Sequence, residues 1–232
     1  AIAHELARLG ANVAVGSFVR EAAGRSGDAA AYPDPEEIVV VRNALAAHGG
    51  EAFAGHLDVR DAAEIKKFLD VARRECGEPD ILVNAAGTTA EQPVSGHSDE
   101  LWLKIIDTNL NGAFRMIREV LPGMMERRQG HIFNICSIAS LQAYNHGGSY
   151  SITKYALDGL SANLRYEMKK YGVKVTSVYP GAAYTDSWSS SDVAPERIMT
   201  AGDIAEMIYT SAHLSPQACV EEIVIRPQLG DL

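Results

Sequence analysis

Apolar runs alternate with periodic amphipathic stretches along nearly the whole chain. Short apolar, strand-like runs predict strands at 12–17, 51–59, 80–87, 130–137, 173–181 and 220–227. Between them, apolar residues recur with helical spacing near 36–48, 61–75, 98–127, 148–171 and 202–213. The first residues read as an amphipathic helix with Ile2, Leu6 and Leu9 on one face, closed by Gly10. Strand and helix in strict alternation predict an α/β fold: a doubly wound parallel sheet with helices on both faces. No composition shift, repeat or low-complexity tract divides residues 1–232, so the chain reads as a single domain. Two stretches interrupt the rhythm. Residues 19–35 read as a long surface loop, and residues 185–200 as a flap beside the carboxyl ends of the strands, where ligands bind in open α/β sheets.

Composition narrows the function. The 232 residues carry a formal charge of −9 with no Lys or Arg run, which argues against capture of nucleic acid or an anionic membrane. No apolar stretch approaches the roughly 18 residues that would span a bilayer. Cys76, Cys136 and Cys219 are odd in number and far apart, suggesting neither a disulfide framework nor a metal site; a reducing cytoplasm is the natural compartment. Cys136 reads as a core residue.

The candidate chemistry lies in "NICSIASLQAYNHGGSYSITK", residues 134–154. Tyr150 and Lys154, four apart, share one face of a helix, so an ammonium can sit beside a phenol. A nearby positive charge favours the phenolate, so the tyrosine is expected to titrate below its ordinary value and to exchange protons with a carbonyl or alcohol oxygen. Ser137 closes a strand at the carboxyl edge of the sheet, where its hydroxyl could hold the same oxygen.

These residues, with "NAAG" at 84–87, "DTNLNG" at 107–112, "LDVRD" at 57–61 and "YPGAAYT" at 179–185, stand in an order that resembles the short-chain dehydrogenase/reductase family over essentially the whole chain. The resemblance implies a Rossmann-type fold and a nicotinamide-dependent oxidoreductase acting on a carbonyl or alcohol. It makes Tyr150 the general acid or base, Ser137 the oxygen anchor, Lys154 the support that also holds the nicotinamide ribose, and Asn109 the fourth member. It also implies a cofactor site in which Asp58 accepts from the adenine amino group with Val59 beside the ring. Asn84, Ala85 and Gly87 would then lie under the adenosine ribose, and Pro180, Gly181 and Thr185 would meet the nicotinamide amide. Ser17 stands where NAD-preferring members carry an acid, and Arg20 and Arg25 could reach a 2′-phosphate, so NADP(H) is favoured over NAD(H). The family's first strand and glycine-rich phosphate turn are expected ahead of Ala1.

Tyr144, Asn145, His146, Tyr184 and Trp188 fall, by resemblance, around the substrate opening, and the aromatic residues predict an apolar substrate body. His97 and His146 read as surface histidines. The ending "EEIVIRPQLGDL" resembles the subgroup around sepiapterin reductase and bacterial ketone reductases. Reduction of a 3-oxoacyl thioester is the alternative substrate class, and a non-catalytic dinucleotide-binding regulator the alternative of another kind. A homodimer or homotetramer is the expected assembly.

Overall fold

A computed structural model describes residues 1–19, 33–90, 92–185 and 193–231. Two compact units contain them, one running from Ala3 to Pro79 and the other from Asp80 onward. In the first, α1 (Ile2–Arg8) leads into β1 (Val13–Ser17), followed by α2 (Pro35–Ala46), β2 (Ala52–His56) and α3 (Ala62–Cys76). β1 and β2 pair in parallel, Val13 opposite Ala52. Leu45, Ala7 and Val13 form the core beneath α1 and α2. Asp61 caps α3 by accepting from the amides of Ala63 and Glu64.

The second unit is built on four parallel strands in the order β3 (Ile81–Asn84), β4 (Gly130–Ile135), β5 (Val173–Pro180), β8 (Glu222–Ile225). β4 and β5 occupy the middle and are buried almost throughout, whereas β8 at the edge alternates between buried and exposed positions. The helices are α4 (Asp99–Ile106), α5 (Gly112–Arg127), α6 (Gly148–Met168) and α7 (Ala201–Ala212). The last opens with a capping box between Thr200 and Asp203. A further short pair, β6 (Ala183–Tyr184) with β7 (Met199–Thr200), brackets the flap. Among the described residues, no helix is long and apolar enough to cross a membrane.

Every predicted strand and helix is present, the strand expected over 80–87 ending at Asn84, with two further informative departures. The helix expected over 98–127 is broken by a π turn, Asp107–Asn111, between α4 and α5. The strand expected over 51–59 stops at His56, because Asp58 leaves the ladder to start a turn that bonds back from Asp61.

A buried polar chain fastens α6 to the sheet. Asn84 donates from Nδ2 to Asn134 Oδ1 at 2.8 Å, and Asn134 donates to Ser161 Oγ at 2.8 Å. Asn84 and Asn134 are register partners on β3 and β4, and Asn134 and Ser161 are fully buried. Groups buried in this way are costly once a partner is lost. Asn134→Ala, which leaves the Asn84 amide and the Ser161 hydroxyl without their partner, is expected to lower unfolding free energy by about 2–4 kcal/mol in a urea titration.

Candidate active site

The site is assembled on the carboxyl ends of β3, β4 and β5 and the first turns of α6. Lys154, at the end of the second turn of the helix, is only 6% exposed, and its Nζ donates to the carbonyl of Ile135, the last residue of β4, at 2.6 Å. The same ammonium lies 5.5 Å from the centre of the Tyr150 ring. Ser137, just past β4 in extended backbone, opens a short 3-10 turn and accepts from the Ala139 amide at 3.1 Å. Its hydroxyl lies near enough to the Tyr150 phenol to lower that group's pKa.

Asn109 comes from the π turn. The wider turn bears a side chain that is 1% exposed and fully engaged: Oδ1 accepts from the Thr88 amide at 2.7 Å, and Nδ2 donates to the Thr88 carbonyl and to Thr153 Oγ1. Thr153 in turn donates to the Tyr150 carbonyl at 2.7 Å. Asn109 therefore ties the segment after β3 to the helix turn that carries Tyr150 and Lys154. Exposed Ala85, Ala86 and Gly87 line this segment. A Cβ on Gly87 would lie 3.5 Å from Asn109 Oδ1 and 3.9 Å from Lys154 Nζ, so the absent side chain leaves open backbone beside the ammonium.

The electrostatics correct one expectation. Tyr150 is held above, not below, the ordinary phenol value: burial raises it, hydrogen bonding with Ser137 only partly offsets this, and Cys136 adds a small rise. Burial acts on Lys154 in the other direction, pushing the ammonium down to about 8. The phenol accordingly carries its proton near pH 7, as a general acid must, and burial makes that proton harder to release. Cys136 is buried against Ala113, Leu157 and Tyr179, and burial drives its thiol up to about 12, as a core residue would behave.

Several candidates sit differently from their expected roles. The side chain of Asn84 is engaged with Asn134, leaving only its backbone for a ligand. Asp58 holds the Arg60 guanidinium with both carboxylate oxygens, at 2.7–3.1 Å; burial works to raise its pKa, but these bonds keep it below the usual value. Any adenine amino group would share that carboxylate. Val59 is buried, and Ser17 ends β1 with its carbonyl engaged by the Leu57 amide. Pro180 closes β5, and a Cβ on Gly181 would come within 2.9 Å of Pro227 Cδ, so only glycine fits that turn. Thr185 and Tyr184 are exposed. Tyr144 is exposed too, its ring close over Gly147. Arg197, a basic residue of the flap, donates to the carbonyls of Gly230 and Asp231 and serves as an anchor there. Arg20, Arg25 and Trp188 lie outside the described residues. His97 is not a plain surface histidine: it is half-buried and bonded to Pro93 and Ser149. No local periodicity signals that pairing, because the partners are 52 residues apart.

A family model described as short chain dehydrogenase matches residues 1–195. The chain is 29% identical over 213 residues to sepiapterin reductase of Chlorobaculum tepidum, covering 87% of each protein. It is 31% identical to an uncharacterized oxidoreductase of Staphylococcus saprophyticus over 74% of this chain and 73% of that one. A putative ketoacyl reductase of a monensin polyketide synthase from Streptomyces virginiae is 38% identical over 64% of this chain and 58% of its own length. Among solved structures, the closed form of a serine dehydrogenase complexed with NADP+ superposes with a TM-score of 0.83 at 27% identity, covering 100% of this chain and 91% of the other. An actinorhodin polyketide ketoreductase with NADPH gives a TM-score of 0.83 at 27% identity, covering 100% and 92%.

The depressed lysine has a measurable signature. An ammonium whose folded pKa lies near 8, below its unfolded value, destabilises the fold while charged, so stability rises with pH through that range as the charge is lost. Lys154→Met lacks this penalty at every pH. Its melting temperature relative to the parent is therefore expected to fall steadily from about pH 7 to about pH 10, whereas a pH-independent difference would show that the lysine titrates normally.

Proposed function

The chain belongs to the short chain dehydrogenase family, and from that premise we propose that it is an NADP(H)-dependent reductase of ketones or aldehydes in which Tyr150 is the general acid. What supports this reading is that Ser137, Tyr150 and the buried Lys154 ammonium lie together at the carboxyl end of β4, with Lys154 Nζ on the Ile135 carbonyl and 5.5 Å from the Tyr150 ring.

The residues present fit such a cofactor. Open backbone at Ala85–Gly87 runs beside Lys154, which would hold the nicotinamide ribose, and the Pro180–Gly181 turn would meet the amide. NADP over NAD is supported by the absence of a carboxylate at Ser17 and by relatives whose structures contain NADP+ or NADPH. When bound, the reduced cofactor supplies a hydride to the carbonyl carbon. Ser137 holds the substrate oxygen by hydrogen bonding, Tyr150 donates its proton to that oxygen, and Lys154 stabilises the phenolate left behind. Asn109 fixes the backbone on either side through Thr88 and Thr153. Exposed Tyr144 and Tyr184 would flank an apolar substrate body. A 3-oxoacyl thioester is the second reading, favoured by the two ketoreductase relatives.

Assembly as a homodimer or homotetramer is part of the proposal. Ile152, Tyr155, Gly159 and Tyr166 form one exposed stripe on α6, with Tyr166 79% exposed and open space around Gly159. Phe114 on α5 is exposed as well. Tyr166→Arg with Ile152→Arg is expected to shift the protein to monomer in sedimentation velocity; a monomeric parent would end this part of the reading.

Oxidation of NADPH and of NADH with a panel of ketones, aldehydes and 3-oxoacyl thioesters tests the chemistry. NADPH turnover is expected in the parent and a fall of about 100- to 10,000-fold in Tyr150→Phe. Absence of turnover with every pair would remove the enzymatic reading, and preference for thioesters would select the second substrate class.

A further inference from the structure

We infer that His97 is a positioning residue of the active site: its imidazole caps the amino-terminal end of α6 and thereby aims Tyr150. The inference rests on the reading of Tyr150 as the acid. α6 begins without a cap of its own, since Gly147 at its N-cap has no side chain and its first turn holds no acidic residue. The first amides of a helix have no partner within it and must find one elsewhere. The amide of Ser149, immediately before Tyr150, is directed at His97 Nε2 at 3.4 Å, and the Ser149 hydroxyl lies 2.7 Å from the same nitrogen. Ser149 is fully buried, so water does not substitute for the histidine.

The tautomer follows from the other ring nitrogen. Nδ1 lies 3.0 Å from the Pro93 carbonyl, which can only accept, so the neutral ring carries its hydrogen on Nδ1 and turns the Nε2 lone pair to Ser149. The ring thus joins the loop after β3 to the catalytic helix with one donor and one acceptor. An independent feature shows how closely the two are fitted. Gly148 has φ +45°, and a Cβ there would lie 2.5 Å from the Gln92 carbonyl oxygen and 2.6 Å from His97 Cε1. The loop and the helix end touch backbone to backbone, with the imidazole wedged beside them. On its far side the same turn is held through Thr153 by Asn109. His97 provides the opposing contact, and small displacements of an acid relative to the oxygen it serves reduce rate steeply.

The test compares His97→Ala, His97→Gln, His97→Asn, Ser149→Ala and the His97→Ala/Ser149→Ala double variant of the full chain. Readouts are ketone-dependent NADPH oxidation, NADPH binding by fluorescence, and amide hydrogen exchange over residues 148–152 without cofactor. His97→Ala is expected to lower kcat about tenfold, with the NADPH dissociation constant within about twofold of the parent and exchange at the start of α6 about tenfold faster. In His97→Gln the side-chain amide oxygen reaches Ser149, whereas in His97→Asn the shorter side chain ends near the Pro93 side. The glutamine variant therefore restores kcat and protection, and the asparagine variant does not. Ser149→Ala lowers kcat in the same direction, and the double variant loses no more than His97→Ala alone. Parental kcat and exchange in His97→Ala, or rescue by asparagine equal to that by glutamine, would overturn the inference. If His97→Ala does not fold, the glutamine and asparagine pair decides. A parent without turnover refutes the function above, while the exchange measurement still decides whether His97 caps α6.

Discussion

An ammonium group buried with no carboxylate against it among the described residues is the constraint around which this candidate site is arranged. Lys154 Nζ meets the carbonyl of Ile135, and the site's other polar groups are arranged around its helix turn. Burying a charge is tolerable only where fixed dipoles replace water, so β4 must end at Ile135 and α6 must pass directly over it. The depressed lysine and the raised tyrosine are two consequences of the same dry environment. They leave a neutral phenol beside a cation, an arrangement whose charge distribution improves when the phenol loses its proton.

Holding that geometry requires α6 to be fixed along its length, and the helix is bonded to the sheet at successive turns. Lys154 reaches β4, Ser161 accepts from Asn134, and Arg165 donates to the Val175 carbonyl. Asp158 accepts from the Tyr179 hydroxyl at 2.5 Å and from Ser177. These are directional contacts set among apolar neighbours such as Leu157 and Leu164, so the helix has one satisfactory rotation on the sheet. A purely apolar seam would allow slippage that an acid-base residue could not tolerate.

Much of this was legible in the sequence, because the signals were local. Alternation of strand and helix located the elements, and the spacing of Tyr150 and Lys154 located a pair that the structure brings within 5.5 Å. What escaped depended on packing between distant segments. The apolar period runs unbroken through 98–127, and nothing in it marks a π turn, whose stability comes from the partners Asn109 finds at Thr88 and Thr153. Charge proximity predicted a lowered tyrosine; burial, which no spacing reveals, decided the opposite. Asp58 is preceded by a strand-like run, yet its neighbour Arg60 claims the carboxylate. His97 looked like a surface residue because its partner lies far along the chain.

The π turn also links the site to the outside of the molecule. An α-helix advances about 100° per residue, so removing one residue to regularise Asp107–Asn111 would turn all of α5 by about that angle. Met116, Ile117, Val120 and Met124 would leave the core together, and Phe114 would leave the surface. The irregularity behaves as a phase setting shared by two faces of one helix. A lineage that acquired it could not discard it by a single deletion without repacking the interior, so the turn is protected by the core as much as by the hydrogen bonds of Asn109.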